Sequence, residues 1–536
     1  MKPPSPLDPA GAKSPLDAAS SLNAARRSRE LAELAGGPTV DVLVVGLGAT
    51  GAGAALDAAS RGLSVAAIDA CDLAFGTSRW SSKMIHGGLR YLAKGQVGVA
   101  YESAVERGVL LRRTAPHLVR AQPYLLPLTP AVSSAQAATV MAGYRLGDGL
   151  RIAAGTPHRL LPGPSRISAS RALELAAPLS PHGLRGALLS WDGRLIDDAR
   201  LVVALARTAA AHGARILTRC RALELGGREA RVRDELTGET FTIRARAVIN
   251  AAGVWAAGLD PAIRLRPSRG THLVLRPETL PGLRAGLHVP IPGESNRFAL
   301  VLPQADGRIY VGLTDEPVEG PVPDVAEAPE EDVTFLLGVL NSVLGTAVRR
   351  EEVAGTFAGL RPLLAAEERA GGRVARTADL SRKHALLTSA DGVVTIVGGK
   401  LTTYRRMAEE AVDRAVRLRG LGAGGSRTAR LPLVGALPAG AGAPARPVGP
   451  GSGAPARLVE RYGSEARDVR ALAERDPALA EPLPTGVTLA ELVWAVRHEG
   501  ALDASDLLDR RTRIGLVPGD REAALPAAEA ALTYEE

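Results

Sequence analysis

The stretch VLVVGLGATGAGAALDAASRGLSVAAID, residues 42–69, determines the fold class of the chain. The apolar run Val42–Val45 ends in glycines, an alanine-rich stretch continues to Arg61, and a second apolar run, Val65–Ile68, ends at Asp69. This order predicts a strand, a tight turn, a helix and a second strand. Strands that are short and apolar throughout are typical of a parallel sheet covered on both faces. The sequence therefore predicts an α/β fold that begins with a Rossmann-like unit.

The glycine turn between this first strand and the helix fits the binding of a dinucleotide. Gly46, Gly48 and Gly51 have the GxGxxG spacing, in which glycines permit a tight turn and let backbone amides approach a pyrophosphate. Asp69 closes the second strand, where a carboxylate accepts hydrogen bonds from ribose hydroxyls. Because an acidic residue there disfavours the 2′-phosphate of NADP, NAD and FAD are the two candidates that the turn leaves open.

Two later strands also end in glycine. Ala247–Asn250 leads to Gly253, and Val393–Val397 leads to Gly398, Gly399 and Lys400. This recurrence predicts one nucleotide-binding domain built from discontinuous segments. The chain between those segments contains alternating patterns, such as Thr271–Leu275, that predict a substrate domain with a mostly antiparallel sheet.

Composition changes along the chain predict the domain boundaries. The first residues mix Pro, Ser, Ala and charges, a later stretch is rich in Gly, Ala and Pro, and the end has helical spacing. The expected divisions are a mobile tail over 1–38, the nucleotide-binding domain over 39–420 with substrate parts at about 110–185 and 264–354, a linker over 421–457, and a helical C-terminal domain over 458–536.

The charge and cysteine content exclude several classes of protein. The chain has 65 Lys and Arg against 57 Asp and Glu, but the basic residues are scattered and aromatic residues make up only 3%. This pattern argues against nucleic-acid binding. Cys71 and Cys220 lie far apart without CxxC spacing, so we expect no disulfide framework and no metal site. A reducing, cytoplasmic compartment fits best.

The chain has no uninterrupted apolar run of the roughly 18 to 20 residues that a membrane-spanning helix needs. The nearest candidate is the uncharged stretch Ala121–Tyr144, which contains Pro123, Pro127 and Pro130. We interpret it as a buried helix under the substrate domain, with contact to a membrane surface as the alternative.

The segment GTSRWSSKMIHGGLRYL, residues 76–92, is dense in small polar residues that could surround a flavin. It resembles the signature of FAD-dependent glycerol-3-phosphate dehydrogenases. Further motifs follow in the order of that family, and the resemblance covers about residues 40–410. They are Asp197–Leu201, Asn250–Gly253, Gly270–His272, Gly312–Asp315, Gly359–Leu363, Ser381–His384 and Gly398–Arg405, with a weaker echo at Asp509–Thr512.

Three positions depart from the family pattern. Met84 stands for the usual Leu, Leu313 for a common Thr, and Val254 for a usual Pro. None of these changes removes an ionisable group.

The resemblance implies FAD as the cofactor and the oxidation of glycerol 3-phosphate to dihydroxyacetone phosphate as the reaction. The residues that it assigns to the cofactor lie in the glycine turns and in the 76–92 segment. They are Gly46, Gly48, Gly51, Asp69, Ser81, Ser82, His86, Gly87, Gly88, Gly253, Gly398, Gly399 and Lys400.

The same resemblance points to the substrate groups. A phosphate is best held by guanidinium groups, and Arg90, Arg361 and Arg382 supply them. We expect Gly359 and Pro362 to hold Arg361 in a rigid turn beside the pocket, which Tyr91 and Thr314 would also line. Oxidation of an alcohol needs a base for the hydroxyl proton, for which His272 and Lys400 are both candidates.

The resemblance further implies that a quinone, or oxygen as a variant, reoxidises the flavin, with peripheral attachment to the inner face of the cell membrane. The oligomeric state stays open, a homodimer included. One rival is an amino-acid oxidase of the same fold, which would need a single carboxylate-binding Arg and an apolar pocket. The other is a non-enzymatic flavin or nucleotide scaffold that binds RNA through its positive charge.

Overall fold

The computed structural model describes residues 19–88, 91–92, 95–294, 297–365, 384–436 and 455–535. Two large sheets dominate this part of the chain, one of eight strands and one of ten. The first sheet carries the glycine turns that the sequence predicts, and the second forms the substrate domain. The α/β class with a mostly antiparallel second sheet is thereby confirmed.

The first sheet has a parallel centre, in the order β17-β18-β10-β1-β2-β7, in which only the edge strand β17 runs antiparallel. A short antiparallel extension, β8 and β9, continues from β10. Its strands are β1 (Thr39–Val45), β2 (Val65–Ile68), β7 (Arg215–Leu217), β8 (Cys220–Gly226), β9 (Glu229–Asp234), β10 (Thr240–Asn250), β17 (Ala385–Thr388) and β18 (Val394–Val397).

The second sheet is antiparallel except where β12 runs beside β4. Its main path is β15-β11-β14-β13-β12-β4-β6-β3, with β16 beside β11 and β5 beside β6. The strands are β3 (Met84–Ile85), β4 (Val119–Pro127), β5 (Ser165–Ile167), β6 (Ala187–Leu195), β11 (Ser268–Leu275), β12 (Gly286–Pro290), β13 (Phe298–Pro303), β14 (Ile309–Gly312), β15 (Glu316–Pro317) and β16 (Val353–Arg361).

The helices cover both sheets and build a separate domain at the end of the chain. They are α1 (Ala24–Ala35), α2 (Ala49–Ser60), α3 (Val97–Val109), α4 (Ser134–Ala153), α5 (Ala169–Leu175), α6 (Asp198–Ala211), α7 (Ala256–Leu259), α8 (Glu330–Asn341), α9 (Tyr404–Arg419), α10 (Ala456–Tyr462), α11 (Ala466–Arg475), α12 (Leu489–His498) and α13 (Pro518–Leu532).

Alanine and glycine bring helices close to the first sheet. Helix α2 packs against α6 and α9, and a Cβ on Gly53 would lie 3.0 Å from the ring of Tyr404. The small side chains of α2 are almost all buried. The alanine-rich composition of this segment therefore serves tight packing of helices on the sheet.

A row of directly paired residues crosses the second sheet and includes two histidines. His272 on β11 pairs with Gly312 on β14, which pairs with Leu300 on β13, which pairs with His288 on β12. On the other side, His272 pairs with Phe357 on β16. Directly paired residues share one face of a sheet, so two histidines and their neighbours lie in one line on that face.

The expectation of a mobile tail over 1–38 is wrong for its second half. Residues 24–35 form α1, which packs against β7 and β10. Leu34 is buried, and the Arg27 guanidinium donates to the carbonyls of Thr218 and Arg219 and pairs with Asp234. The charged composition of this segment predicted a tail, because the buried partners of Arg27 are distant in sequence and meet it only in the folded chain. Residues 1–18 lie outside the described residues.

The other boundaries also differ from the expected ones. Leu421 and Leu433, from the predicted linker, are buried in the core of the first domain, and residues 437–454 lie outside the described residues. The second sheet includes β3, β6 and β16, which extend beyond the ranges 110–185 and 264–354. These strands belong to the second sheet because of the strands they pair with, and the composition of the chain does not show which strands pair.

The uncharged stretch Ala121–Tyr144 is not one buried helix. Its first part is strand β4, and its second part begins α4. Along α4, Tyr144 is buried, whereas Leu146 and Ile152, just beyond the stretch, are 61% and 63% exposed. Among the described residues, no helix has the length and hydropathy needed to cross a membrane.

Candidate active site

The glycine turn lies at the carboxyl end of β1. Gly46 has φ +100°, and a Cβ there would lie 2.6 Å from the carbonyl oxygen of Ala251, so the position requires glycine. A Cβ on Gly51 would overlap the carbonyl oxygen of Gly46. The three glycines therefore let α2 begin directly over the strand end, as in dinucleotide-binding turns.

Asp69 lies beside this turn, at the end of β2. Its carboxylate accepts hydrogen bonds from the amides of Leu47, at 2.7 Å, and Cys71, at 2.9 Å. Burial raises the pKa of Asp69 to about 6, against these two hydrogen bonds, which lower it. A carboxylate has four lone-pair positions, so Asp69 keeps acceptor capacity for a ribose.

Ser78 is a further candidate residue at this turn, and no sequence motif singles it out. Its hydroxyl accepts a hydrogen bond of 2.9 Å from the amide of Ala49, the first residue of α2. It also limits Gly48, where a Cβ would lie 3.0 Å from the Ser78 hydroxyl oxygen. Helix N-termini favour anions, so Ser78 lies where a pyrophosphate would bind.

Two further glycine turns lie at the same edge of the sheet. Gly253 follows β10, and Gly398 and Gly399 follow β18; all three have positive φ values, between +59° and +80°. Strands β10 and β1 are neighbours, and β18 lies beside β10. The turns therefore converge at the carboxyl ends of parallel strands, the usual ligand position in open α/β sheets.

A cavity of about 1160 Å³ runs from these turns to the face of the second sheet. Most residues assigned by resemblance line it, which brings cofactor and substrate candidates together. These are Gly46, Gly48, Asp69, Ser81, Ser82, His86, Tyr91, Gly253, His272, Thr314, Arg361, Gly398, Gly399 and Lys400. The cavity is larger than most single-substrate pockets, as expected of a space that holds a cofactor and a substrate.

Five of the assigned residues do not stand in that lining. Gly51 packs the turn itself, and Gly87 and Gly88 approach the side chains of Arg107 and Ser103. Arg90 and Arg382 lie outside the described residues.

His272 is held at the floor of the cavity. Its Nε2 and the Ser82 hydroxyl are 2.8 Å apart in a hydrogen bond, and its ring stacks on Phe357 with 4.6 Å between centroids. Gly312, the neighbour of His272 in the sheet, has no side chain, and a Cβ there would overlap the imidazole. Burial, followed by the charges of Lys83 and Arg361, lowers the pKa of His272 well below its usual value. The imidazole is therefore neutral at pH 7.

Lys400 lies on the opposite, first-sheet side of the cavity. Its ammonium donates to the hydroxyl of Ser103 and lies 4.1 Å from the centroid of the Tyr91 ring. Nearby, the amide of His86 donates to the hydroxyl of Thr402 at 3.2 Å. These contacts join the 76–92 segment to the turn after β18.

Arg361 is the last residue of β16, not part of a turn. It pairs with Ser268 on β11, and Gly359 lies within the same strand, where a Cβ would be 2.6 Å from the Cβ of Trp80. The expected rigid turn is therefore wrong; close packing on Trp80 explains the glycine. The guanidinium donates to the Ser268 hydroxyl at 3.1 Å and to the Thr314 carbonyl at 3.2 Å.

Two carboxylates, Asp315 and Asp332, bind Arg361 and Thr314 respectively. Asp315 lies 3.3 Å from the Arg361 guanidinium. Thr314 accepts from the amide of Thr271 at 3.0 Å and donates to Asp332 at 3.1 Å. Arg361 is thus held at the cavity wall by Ser268 of β11 and by Asp315 and the Thr314 carbonyl, which lie between β14 and β15.

The cavity fits FAD. The turn at Gly46, the start of α2 and Ser78 offer amides and a hydroxyl to a pyrophosphate, and Asp69 offers a carboxylate to a ribose. The glycines after β10 and β18 line the same cavity as His272 and Arg361 of the second sheet.

Comparison with known proteins agrees with this geometry. The chain matches the FAD dependent oxidoreductase family over residues 41–405 and the C-terminal domain of alpha-glycerophosphate oxidase over residues 426–534. Glycerol-3-phosphate dehydrogenase 1 of Mycobacterium tuberculosis is 54% identical over 513 residues, which cover 95% of this chain and 98% of the relative. The mitochondrial glycerol-3-phosphate dehydrogenase SDP6 of Arabidopsis thaliana is 34% identical, covering 93% of this chain and 83% of its own.

A solved structure supports the same assignment. The glycerol-3-phosphate dehydrogenase of Bacillus halodurans, complexed with FAD, superposes with a TM-score of 0.71 at 25% identity, covering 96% of this chain and 95% of that one. The cofactor expected from the glycine turns is therefore FAD and not NAD. The chain belongs to the family of FAD-dependent glycerol-3-phosphate dehydrogenases.

Proposed function

We propose that this chain oxidises glycerol 3-phosphate at its secondary hydroxyl to dihydroxyacetone phosphate, with Arg361 binding the phosphate and His272 accepting the hydroxyl proton. The observation that carries the proposal is the single cavity that joins the dinucleotide turn at Gly46 to His272, Arg361 and Lys400. The relatives named above are glycerol-3-phosphate dehydrogenases, which supports this substrate.

Arg361 suits a phosphate because its guanidinium is already fixed. Contacts to Ser268, Asp315 and the Thr314 carbonyl hold it in one orientation, so little side-chain freedom is lost when an anion binds. A planar guanidinium can donate two parallel hydrogen bonds to a phosphate. Arg90 and Arg382 stay predictions for the same role.

His272 suits a base because it is neutral and oriented. The hydrogen bond to Ser82 and the stack on Phe357 fix the ring. Bound FAD supplies the hydride acceptor for the carbon that bears the hydroxyl. Lys400, on the other side of the cavity, is the alternative base and otherwise places a positive charge near the substrate and cofactor.

We infer that the electrons leave to a quinone that enters along the apolar end of the cavity. That end is lined by Val140, Tyr144 and Leu146 of α4 and by Phe298 and Leu300 of β13. Leu146 is exposed as well as cavity-lining, so the apolar path reaches the surface of α4. A lipophilic carrier and a membrane surface both match such a path.

One experiment tests the reaction and separates it from the rivals. Purified flavin-loaded protein is mixed anaerobically with glycerol 3-phosphate, glycine or glycerol, and the flavin absorbance is followed. We expect rapid loss of the flavin absorbance with glycerol 3-phosphate and none with glycine or glycerol. Bleaching by glycine instead would favour the amino-acid oxidase. If none of the three compounds bleaches the flavin, the non-enzymatic scaffold is the remaining hypothesis.

The same sample tests the acceptor. After bleaching, a short-chain quinone or air is added and the return of the flavin absorbance is timed. We expect faster recovery with the quinone. Recovery that is faster with oxygen would assign the chain to the oxidase variant of the reaction.

A further inference from the structure

Lys83 is a buried lysine in the segment that touches His272. Its side chain is 2% exposed, and its backbone has φ +54°, a left-handed conformation that is uncommon outside glycine. Its ammonium donates to the carbonyl oxygens of Arg79, at 3.0 Å, and Ser81, at 3.1 Å. The Lys83 side chain therefore folds back and stabilises the Arg79–Lys83 turn.

Asp198 holds the same turn from outside. Its carboxylate lies 3.1 Å from the Lys83 ammonium and accepts from both the amide of Ser81, at 2.9 Å, and its hydroxyl, at 2.7 Å. The Ser81 hydroxyl in turn accepts from the amide of Lys83. A single ion pair thus fixes the residue immediately before Ser82.

Two routes connect this ion pair to His272. The first is the backbone, because Ser82 lies between Ser81 and Lys83 and its hydroxyl bonds to the imidazole. The second is Phe357: the Lys83 ammonium lies 4.9 Å from the centroid of that ring, and the ring stacks on His272. Lys83 thus follows Ser82 directly in the chain and contacts Phe357, and these two groups hold the imidazole.

The charges around these groups are few. Lys83 and Arg361 face His272, and both disfavour a proton on the imidazole. Around Lys83 lie the carboxylates of Asp198 and Asp197 and the guanidinium of Arg513. Burial lowers the pKa of Lys83 to about 8, so the ammonium keeps its charge at pH 7.

We propose that Lys83 is a positioning residue for the reaction, which holds Ser82 and Phe357 against His272. The proposal rests on the assignment of His272 as the base under the proposed function. Lys83 does not line the cavity, so it would act through the orientation and protonation of His272.

The test compares charge removal at two buried sites. Lys83→Met removes the cation, and the double variant Lys83→Met/Asp198→Asn removes the whole ion pair, so that no unpaired carboxylate stays buried if the single variant fails to fold. Arg207→Met is the matched control, because Arg207 is a buried cation paired with Glu465 in another part of the molecule. Flavin content and thermal midpoint are measured for each.

Two readouts are followed against pH in the flavin-loaded proteins. The first is the rate of anaerobic flavin reduction by glycerol 3-phosphate. The second is the ring ¹³C signal of His272 in histidine-labelled protein, assigned by its absence in His272→Asn. We expect the acid limb of the rate and the titration of the signal to move together to higher pH by about 0.5 to 1 unit in the Lys83 variants, and to stay unmoved in Arg207→Met.

The outcomes separate the two proposals. A titration of His272 that does not move in the Lys83 variants overturns the role of Lys83. If the signal moves but His272→Asn reduces its flavin as fast as the unchanged protein, the role of His272 as base is wrong, while the influence of Lys83 on its charge stands. An equal shift in Arg207→Met would show a general loss of packing and would also overturn the proposal.

Discussion

Arg361 reaches the cavity from the end of β16, with its guanidinium held by Ser268, Asp315 and the Thr314 carbonyl. We predict that Arg361→Ala weakens glycerol 3-phosphate binding by roughly 30-fold to several thousand-fold, since loss of one partner of a desolvated charge pair commonly costs about 2 to 5 kcal/mol. Oxidation of glycerol, which lacks the phosphate, should change little. The ratio of the two kcat/KM values isolates the phosphate contribution.

The control for this prediction is Arg361→Lys, which keeps the charge beside Asp315 but not the two-pronged geometry. It should lose less activity than the alanine variant and keep its flavin. Equal proportional losses for glycerol 3-phosphate and glycerol in Arg361→Ala would mean that the residue supports the fold rather than the phosphate.

His272 gives the second prediction at this scale. His272→Ala should slow flavin reduction by about 10²- to 10⁴-fold, because a placed base is typically worth that much. Flavin content should persist, since the glycine turns belong to the first sheet, whereas His272 lies on β11 of the second. Stopped-flow reduction with Lys400→Met as the companion variant decides between the two bases: a slower Lys400 variant and a normal His272 variant would reverse their roles.

At the scale of elements, the start of α2 depends on one close approach. A Cβ on Gly51 would overlap the carbonyl oxygen of Gly46, so Gly51→Ala must push the helix away from the end of β1. We predict that the variant folds with less bound FAD, measured as the ratio of flavin to protein absorbance after purification in excess FAD.

Gly149→Ala is the matched control for that variant. Gly149 lies within α4, and a Cβ there meets nothing within 4 Å. Alanine in a helix interior is favoured over glycine by roughly 0.5 to 1 kcal/mol, so this variant should be as stable as the unchanged protein or more so. An unchanged flavin ratio in Gly51→Ala would show that α2 can move without harm to the turn.

At the scale of the whole molecule, buried ion pairs attach the C-terminal domain to the first domain. Asp72 lies between the glycine turn and the 76–92 segment and bonds to Arg511, at 2.7 and 2.9 Å, and to Arg510, at 2.5 Å. Close by, Arg513 donates to the Arg79 carbonyl at 2.5 Å. The C-terminal domain therefore contacts the segment that carries Ser82.

Asp72→Asn should lower both stability and flavin retention. Removing one charge of a buried pair commonly costs about 3 to 5 kcal/mol, because the arginines stay behind unpaired. The two arginines hold the pKa of Asp72 well below its usual range, against burial. The stability that Asp72 adds is therefore complete above about pH 4 and is lost as pH falls through its folded-state value.

Denaturation measured from pH 3 to pH 7 checks this prediction. The unchanged protein should lose stability below about pH 4, and Asp72→Asn should show a smaller loss over that range from a lower starting value. If stability falls with pH by the same amount in both proteins, carboxylates other than Asp72 cause the loss of stability in acid.

The sequence alone determined the parts of this protein that depend on neighbours in the chain. The strand, glycine turn and helix over residues 42–69, the acid at Asp69 and the later glycine turns are local patterns, because strand and helix periodicity and positive φ values are properties of short segments. The ordered motifs then identified the family and the cofactor. The domain boundaries did not follow in this way, since Leu421 and Leu433 of the predicted linker are buried in the core of the first domain.

Tertiary structure decided how those parts meet. Ser82 and His272 are 190 residues apart, Lys400 and Ser103 are 297 apart, and Asp72 and Arg511 are 439 apart. No pattern in the chain records such contacts, since each depends on which strands pair and which buried charge finds a partner. For that reason the sequence predicted a tail where α1 lies and a turn at Arg361, whereas the folded chain pairs Arg27 of α1 with Asp234 and places Arg361 at the end of a strand.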